Sequence, residues 1–312
     1  MKREIIVICG PTAVGKTKYA IETALHVGGE VVSCDSMQVY RRMDIGTAKP
    51  NQAEMQGIIH HMLDVAEPDE DFSVSRYCEM ATPILDDILA RGKTAIIAGG
   101  TGLYMDALIK GNDFAPYPAT GRRQELEAMA DEKGIEAVME WLRSVDPDSA
   151  ARLHLSDRKR IIRAMEVYLE TGETITAHNL RTQAIPPRYQ PVWFGLEDEN
   201  RQDLYDRIDR RVGIMLEMGL VDEIKALLSS GIPKKCTAMQ AIGYKEFIAA
   251  LDGHCSIEAA ADEVRKGSRH YAKRQLTWFR RNGNMIWLRR KPTDGTQEIL
   301  AQARQHLFAF DN

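Results

Sequence analysis

The stretch IIVICGPTAVGKT, Ile5–Thr17, limits the fold more than any other segment of this 312-residue chain. A short apolar run, β-branched at its start, reads as a buried strand. It leads straight into Gly10-x-x-x-x-Gly15-Lys16-Thr17, and a helix is expected from Lys16 to Val27. Strand, glycine loop and helix in that order make a phosphate cradle, with loop and helix N–H groups pointing at an anion. Lys16 adds a point charge, and Thr17 offers a hydroxyl to Mg²⁺. Such loops usually hold ATP or GTP. A nucleotide hydrolase should also show an apolar strand ending in Asp, whereas TAIIAGG ends in glycine, and the guanine-reading N-K-x-D is missing. The loop specifies a polyphosphate and leaves its carrier open.

The same pattern recurs. EVVSCDS reads as a second strand with Asp35 and Ser36 at its carboxyl end. Thr94–Ala98 reads as a third, followed by a Gly-Gly turn and a helix, and PVWFGL as another, followed by a helix near Arg201–Ser229. Strands alternating with helices predict an α/β fold, a P-loop-type parallel sheet covered by helices. Ligands of such sheets sit at the carboxyl ends of the strands, where Gly10–Thr17, Asp35–Gln38 and Gly99–Gly102 all fall. From Asn112 to Pro187 the patterns are helical only, and the proline-bearing stretches APYPATGRR and AIPPRYQP bound them. The expected organisation is a catalytic core made of residues 1–112 and 188–312, interrupted by an all-helical insertion domain at 113–187.

Composition narrows the class. The net charge of −4 exerts no global pull on nucleic acid, and no apolar run approaches a membrane span. The N-terminal MKREIIVICG is too short and too quickly structured for a signal peptide. Five scattered cysteines without a C-x-x-C argue against a zinc site or disulfide framework and for a reducing cytoplasm.

Several stretches bear chemistry. In CDSMQVYRRMDIGTAKP, Asp35 can bind Mg²⁺ or accept a proton, and equally can cap the next helix. Gln38 can pair with an adenine edge. Thr101 in GGTGLY can reach a substrate or cap a helix. Arg207 and Arg211 stand four apart on a helix and can clamp a pyrophosphate, or form a solvated face with Asp203, Asp206 and Asp209. Val264–Thr293 holds ten Lys/Arg and no acid, with Arg265, Arg269, Lys273 and Arg280 on one helical face among Tyr271, Trp278 and Phe279. A basic stripe inside an acidic protein is the footprint of a polyanion site, although most of these aromatics are expected to pack in the core. Arg158, Lys159, Arg160 and Arg163 make a second basic cluster, and Arg122–Arg123 a third.

Taken in order, GPTAVGKT, DSMQVY, DIGTAKP, HHMLDV, GGTGLY, DRIDRRV, QAIGYKE and YAKRQLTWFR resemble the tRNA dimethylallyltransferase (tRNA isopentenyl transferase) family in its bacterial form, over nearly the whole chain. Ser268 stands where threonine is expected, with the hydroxyl retained. The resemblance implies transfer of a dimethylallyl group from dimethylallyl diphosphate to N6 of adenosine 37, beside the tRNA anticodon, with Mg²⁺ as cofactor. It implies a diphosphate held by Gly10, Pro11, Thr12, Ala13, Val14, Gly15, Lys16, Thr17 and Arg211. The implied catalytic groups are Asp35 as base, Thr101, Lys16 and Arg207, with Thr17 and Asp35 toward the metal. The tRNA contacts it implies are Asp35, Ser36, Met37, Gln38, Thr101, Arg123, and Lys159, Arg160, Ile161, Ile162 and Arg163. They continue through Gln240, Ala241, Ile242, Gly243, Tyr244 and Lys245 to Lys273, Arg274, Gln275, Trp278 and Arg280. A cytoplasmic monomer is expected. Two other readings compete: a P-loop kinase, which needs ATP, and a non-catalytic RNA-binding protein, whose tRNA binding ignores the prenyl donor.

Overall fold

The structure, a computed structural model, describes residues 4–111 and 120–307. The expected start of the insertion at 113, and most of APYPATGRR, lie outside the described residues.

Six strands form one parallel sheet: β1 (Glu4–Cys9), β2 (Glu30–Cys34), β3 (His60–His61), β4 (Ala95–Gly99), β5 (Gln190–Asp198) and β6 (Met285–Arg290), in the order β3-β2-β4-β1-β5-β6. Each of the four strands expected from the sequence is present. β3 is two residues long and carries no alternation to read. β6 was submerged in the basic run, because it is apolar only over Met285–Leu288 and ends in two arginines. The expected helix Lys16–Val27 is present, whereas the one near Arg201–Ser229 is two, Arg201–Glu217 and Leu220–Ser229, separated at Gly219 with φ of 95°.

Register aligns the functional ends. Gly99 of β4 pairs with Cys9 of β1 on one side and Cys34 of β2 on the other. The next residues, Gly10, Asp35 and Gly100, therefore emerge side by side at one edge of the sheet. β1 alternates between two cores: Ile5, Val7 and Cys9 face one, with Tyr77 and Leu108, and Ile6 and Ile8 face the other, with Tyr19 and Phe194. Burial on both faces explains the near-continuous apolar runs of these strands.

The chain divides into two compact units, Met1–Ile109 with Arg188–Asn312, and Lys110–Pro187. Among its described residues the second unit is helical: Arg122–Lys133, Ile135–Val145, Pro147–Arg152, Arg158–Thr171 and Ile175–Gln183. It has its own core around Leu126, Val138, Leu142, Ile161, Ile162 and Met165.

Candidate active site

The glycine loop is braced from outside. Pro11 O accepts from Lys16 Nζ at 2.7 Å, Ala13 O from Arg207 Nε at 3.0 Å, and Val14 O from Arg290 at 3.3 Å. Tying carbonyls to cations leaves the helix Lys16–Val27 with uncapped donors, since its N-cap Gly15 offers no side chain. Gly10 has φ of 147°, and a Cβ there would stand 2.6 Å from Leu196 O. Glycine is therefore required where the loop leaves the sheet.

Gln275 joins two strand ends. Its Oε1 accepts from Thr12 N at 2.8 Å and its Nε2 donates to Gly100 O at 2.9 Å. The side chain is 5% exposed with both ends of its amide engaged, so it serves here as a strut of the loop.

Asp35 closes a turn and caps no helix, since the first helix after β2 is Gln52–Met55, capped by Asn51. Its Oδ1 accepts from Met37 N (2.9 Å) and Gln38 N (3.3 Å), closing the turn after β2. Its Oδ2 has no hydrogen-bond partner among the described residues, and Asp35 lines both cavities described below. Thr101 Oγ1 accepts from Ser36 N at 3.0 Å, linking this turn to the end of β4. Gln38 does not offer a free amide edge: its Oε1 accepts from Ser33 and its Nε2 donates to Thr47 O and Ala48 O, at 3.2 Å each. The adenine-reading role expected of Gln38 gives way to that of a loop anchor.

The two arginines of the helix Arg201–Glu217 separate. Arg207 pairs with the buried Asp198 besides holding Ala13 O. Arg211 makes no hydrogen bond or ion pair among the described residues; enclosure lowers its pKa, and the charge of Asp35 opposes that. Burial likewise brings Lys16 from the ordinary 10.5 down to about 8, with Asp35 again pulling upward and Arg211 downward. An enclosed cation without an acid partner is costly unless an anion joins it. The candidate clamp is therefore Lys16 with Arg211, while Arg207 braces the loop.

Two adjoining cavities share Thr12, Ala13, Asp35, Thr47, Ala48 and Arg211. The first, about 410 Å³, adds Gly15–Lys18 and Gly99. The second, about 310 Å³, adds the apolar Met37, Ile208, Val212 and Met215, the segment Gln240–Tyr244, and Tyr271 with Arg274. Burial first and the Asp35 charge after it push the Tyr271 hydroxyl up to about 12, so it stays protonated there. The sequence placed this tyrosine among packing aromatics. Its three-residue spacing from both Ser268 and Arg274 was the only available signal.

Among the described residues no three His, Cys, Asp or Glu side chains gather to hold a metal. Thr17 and Asp35 nonetheless both line the first cavity with hard oxygens. Mg²⁺ is commonly held by one or two protein oxygens plus substrate phosphates, so this donor set fits it in the company of a diphosphate.

Other expected contacts sort by burial. Tyr244 is fully buried and donates to Glu223, and Ile161 and Ile162 lie in the helical core, so none of the three side chains stands on the protein surface. Trp278 packs on Gly102 and donates to Asp106 at 3.1 Å. In the basic stripe, Arg265, Arg269 and Arg280 pair with Asp262, Asp209 and Glu197, while Lys273 has no ion-pair partner among the described residues. In the helical unit, Arg123, Arg152, Lys159, Arg160 and Arg163 line one groove of about 480 Å³. Gln240 and Lys245 are exposed.

A glycine loop between strand and helix, enclosed cations facing it and an oxygen-bearing turn at the neighbouring strand end define a P-loop-type α/β phosphate-binding protein. The family described as IPP transferase matches residues 38–282, and the chain belongs to it. It is 43% identical to a tRNA dimethylallyltransferase of Acetivibrio thermocellus over 98% of this chain and 98% of that protein. The corresponding values for one of Halalkalibacterium halodurans are 44%, 96% and 95%. Among solved structures, the full-length tRNA isopentenylpyrophosphate transferase of Bacillus halodurans superposes with a TM-score of 0.74 at 42% identity, covering 99% of this chain and 97% of its own. A eukaryotic dimethylallyltransferase acting on tRNA gives 0.82 at 28% identity, over 99% and 80%.

Proposed function

We propose that this chain transfers the dimethylallyl group of dimethylallyl diphosphate to N6 of adenosine 37 in tRNA. The observation that carries this reading is the pair Lys16 and Arg211, enclosed cations without acid partners, set against Asp35 where a polar and an apolar cavity join. A diphosphate fits the first cavity, on the free N–H groups of the helix Lys16–Val27 and the two cations. The base fits the second, once it has left its stack.

The N6 lone pair forms a bond to C1 of the dimethylallyl group as the C1–O bond to diphosphate breaks. The N6 proton passes to Asp35 Oδ2, and pyrophosphate leaves with the bonding electrons. Lys16 and Arg211 stabilise the charge that grows on it. Thr17 and Asp35 are the residues that would hold Mg²⁺, which when bound would supply further positive charge to the leaving group. Thr101 holds the Asp35–Gln38 turn, which orients a weakly nucleophilic amine. Lys273, Arg274 and the groove of the helical unit suit the RNA backbone. One copy supplies every group named here, which supports a monomer, and tRNA as substrate supports a cytoplasmic location.

The test is incubation with dimethylallyl diphosphate, Mg²⁺ and unmodified tRNA, followed by nucleoside analysis. N6-dimethylallyladenosine is the expected product. Asp35→Ala should lower turnover by about 10²- to 10⁴-fold with tRNA binding retained. Unchanged turnover in that variant would remove Asp35 as the base.

A further inference from the structure

The wall shared by both cavities includes Thr47 and Ala48, and what holds that wall lies outside them. Glu223, in the helix Leu220–Ser229, turns its carboxylate into the preceding stretch of the same loop. Its Oε2 accepts from Asp44 N at 2.8 Å and Ile45 N at 2.7 Å, and its Oε1 from Gly46 N at 3.2 Å. The same Oε1 accepts from the Tyr244 hydroxyl at 2.7 Å. Three successive backbone donors and a phenol thus converge on one carboxylate. The loop wraps an anion supplied by its own chain, much as the glycine loop is built to wrap a foreign one.

The two segments that Glu223 holds both line the second cavity, Gly46–Ala48 and Gln240–Tyr244. They are in direct contact, since a Cβ on Gly46 would stand 2.5 Å from the Tyr244 ring. Beyond the loop, Thr47 O and Ala48 O take both N–H groups of Gln38, whose own backbone N–H binds Asp35. An unbroken run of hydrogen bonds and one covalent turn leads from Glu223 to the Asp35 carboxylate. Lys16 and the first turn of its helix, which would meet the diphosphate, make no hydrogen bond to this run among the described residues.

We propose that Glu223 is a positioning residue for the acceptor base. Resting on the transferase reading above, it fixes the spacing of the second cavity's walls and the aim of Asp35, while donor binding is left to the glycine loop. Charge matters as well as shape. A glutamine in its place keeps one acceptor oxygen but turns an N–H₂ toward N–H or O–H donors, leaving some of the four without a partner.

Steady-state kinetics with each substrate varied, together with amide hydrogen exchange, test this on the full chain. Glu223→Gln should lower kcat/KM for tRNA by roughly 10- to 100-fold, as expected when reacting groups lose alignment. The KM for dimethylallyl diphosphate should move by less than about threefold. Exchange should quicken at Asp44–Gly46 and stay unchanged in β1 and β4. Tyr244→Phe removes one donor of four and should give the same pattern more weakly. Wild-type kinetics in Glu223→Gln, or equal losses for both substrates with faster exchange throughout the sheet, overturn the positioning role. A wild-type protein that prenylates no tRNA overturns the reaction itself, and the role with it.

Discussion

The cations at the strand ends and those of the helical groove answer different demands. Lys16 and Arg211 are enclosed, lack acid partners and have pKa values lowered by burial. Arg123, Arg160 and Arg163 stand 39%, 75% and 50% exposed and are paired with Glu127, Asp157 and Glu166. An enclosed charge acts through little water, so two suffice for a small, highly charged leaving group, at a cost in stability. An exposed pair is screened, contributes little each, and serves a long polyanion by number. Strength at a point and grip over a length are thus separated within one chain.

The sharpest way to break this contrast lies inside the strand-end site. Arg211→Ala should lower kcat/KM for the donor by about 10²-fold, the usual cost of losing one charge stabiliser, with thermal stability kept or raised. Arg207→Ala should do the reverse: it strands the buried Asp198 and should cost about 3–5 kcal/mol of stability. Chemical denaturation and donor kinetics read both, and an exchange of these outcomes would return the clamp to Arg207.

pH offers a finer cut. Lys16 is charged below about 8 in the folded protein. kcat/KM for the donor should therefore fall about tenfold per unit as pH rises beyond that value. Lys16→Arg should carry the limb to higher pH, and a profile that is flat for the native protein would deny Lys16 its part. Stability moves the other way. Between about 8 and the ordinary 10.5 the unfolded chain binds the extra proton, so the lysine's destabilising effect is full below that window and fades as pH rises through it.

The smallest expected effect belongs to the helical groove. Lys159→Ala and Arg160→Ala should each weaken tRNA binding several-fold and reduce the slope of log K against log salt by about 1. Turnover at saturating tRNA should stay unchanged. A fall in turnover without a change in salt slope would place these residues in a different role.

Much of this was legible in the chain. Buried parallel strands must be apolar on both faces, so β1, β2, β4 and β5 announced themselves, and the glycine loop marked their functional end. β3 was too short to show a period, and β6 was masked by the arginines that follow Leu288. Among site residues, Lys16 stood out because a charge in a glycine loop has few structural roles, whereas Asp35 could equally have capped a helix and Arg211 could have belonged to a solvated face. Gln38, Gln275 and Tyr244 were read as RNA contacts without sight of their partners within the fold. Gln275 and Tyr244 spend polar atoms on residues far away in sequence and Gln38 on its own loop, and a motif does not say which of its members faces inward.

The sequence alone determined the local rules: which runs must be buried strands, where a loop must take glycine, and which side chains carry charge into a motif. Partner choice was decided only in three dimensions. Arg207 and Arg211 are chemically identical and one turn apart, and what separates them is Asp198, brought up by β5. Glu223 looks like any acid in a helix's first turn until the loop 44–46 folds around it. A hydrogen bond or ion pair is worth what its alternatives in water leave it, and which alternatives remain depends on the packing of segments that the sequence holds far apart.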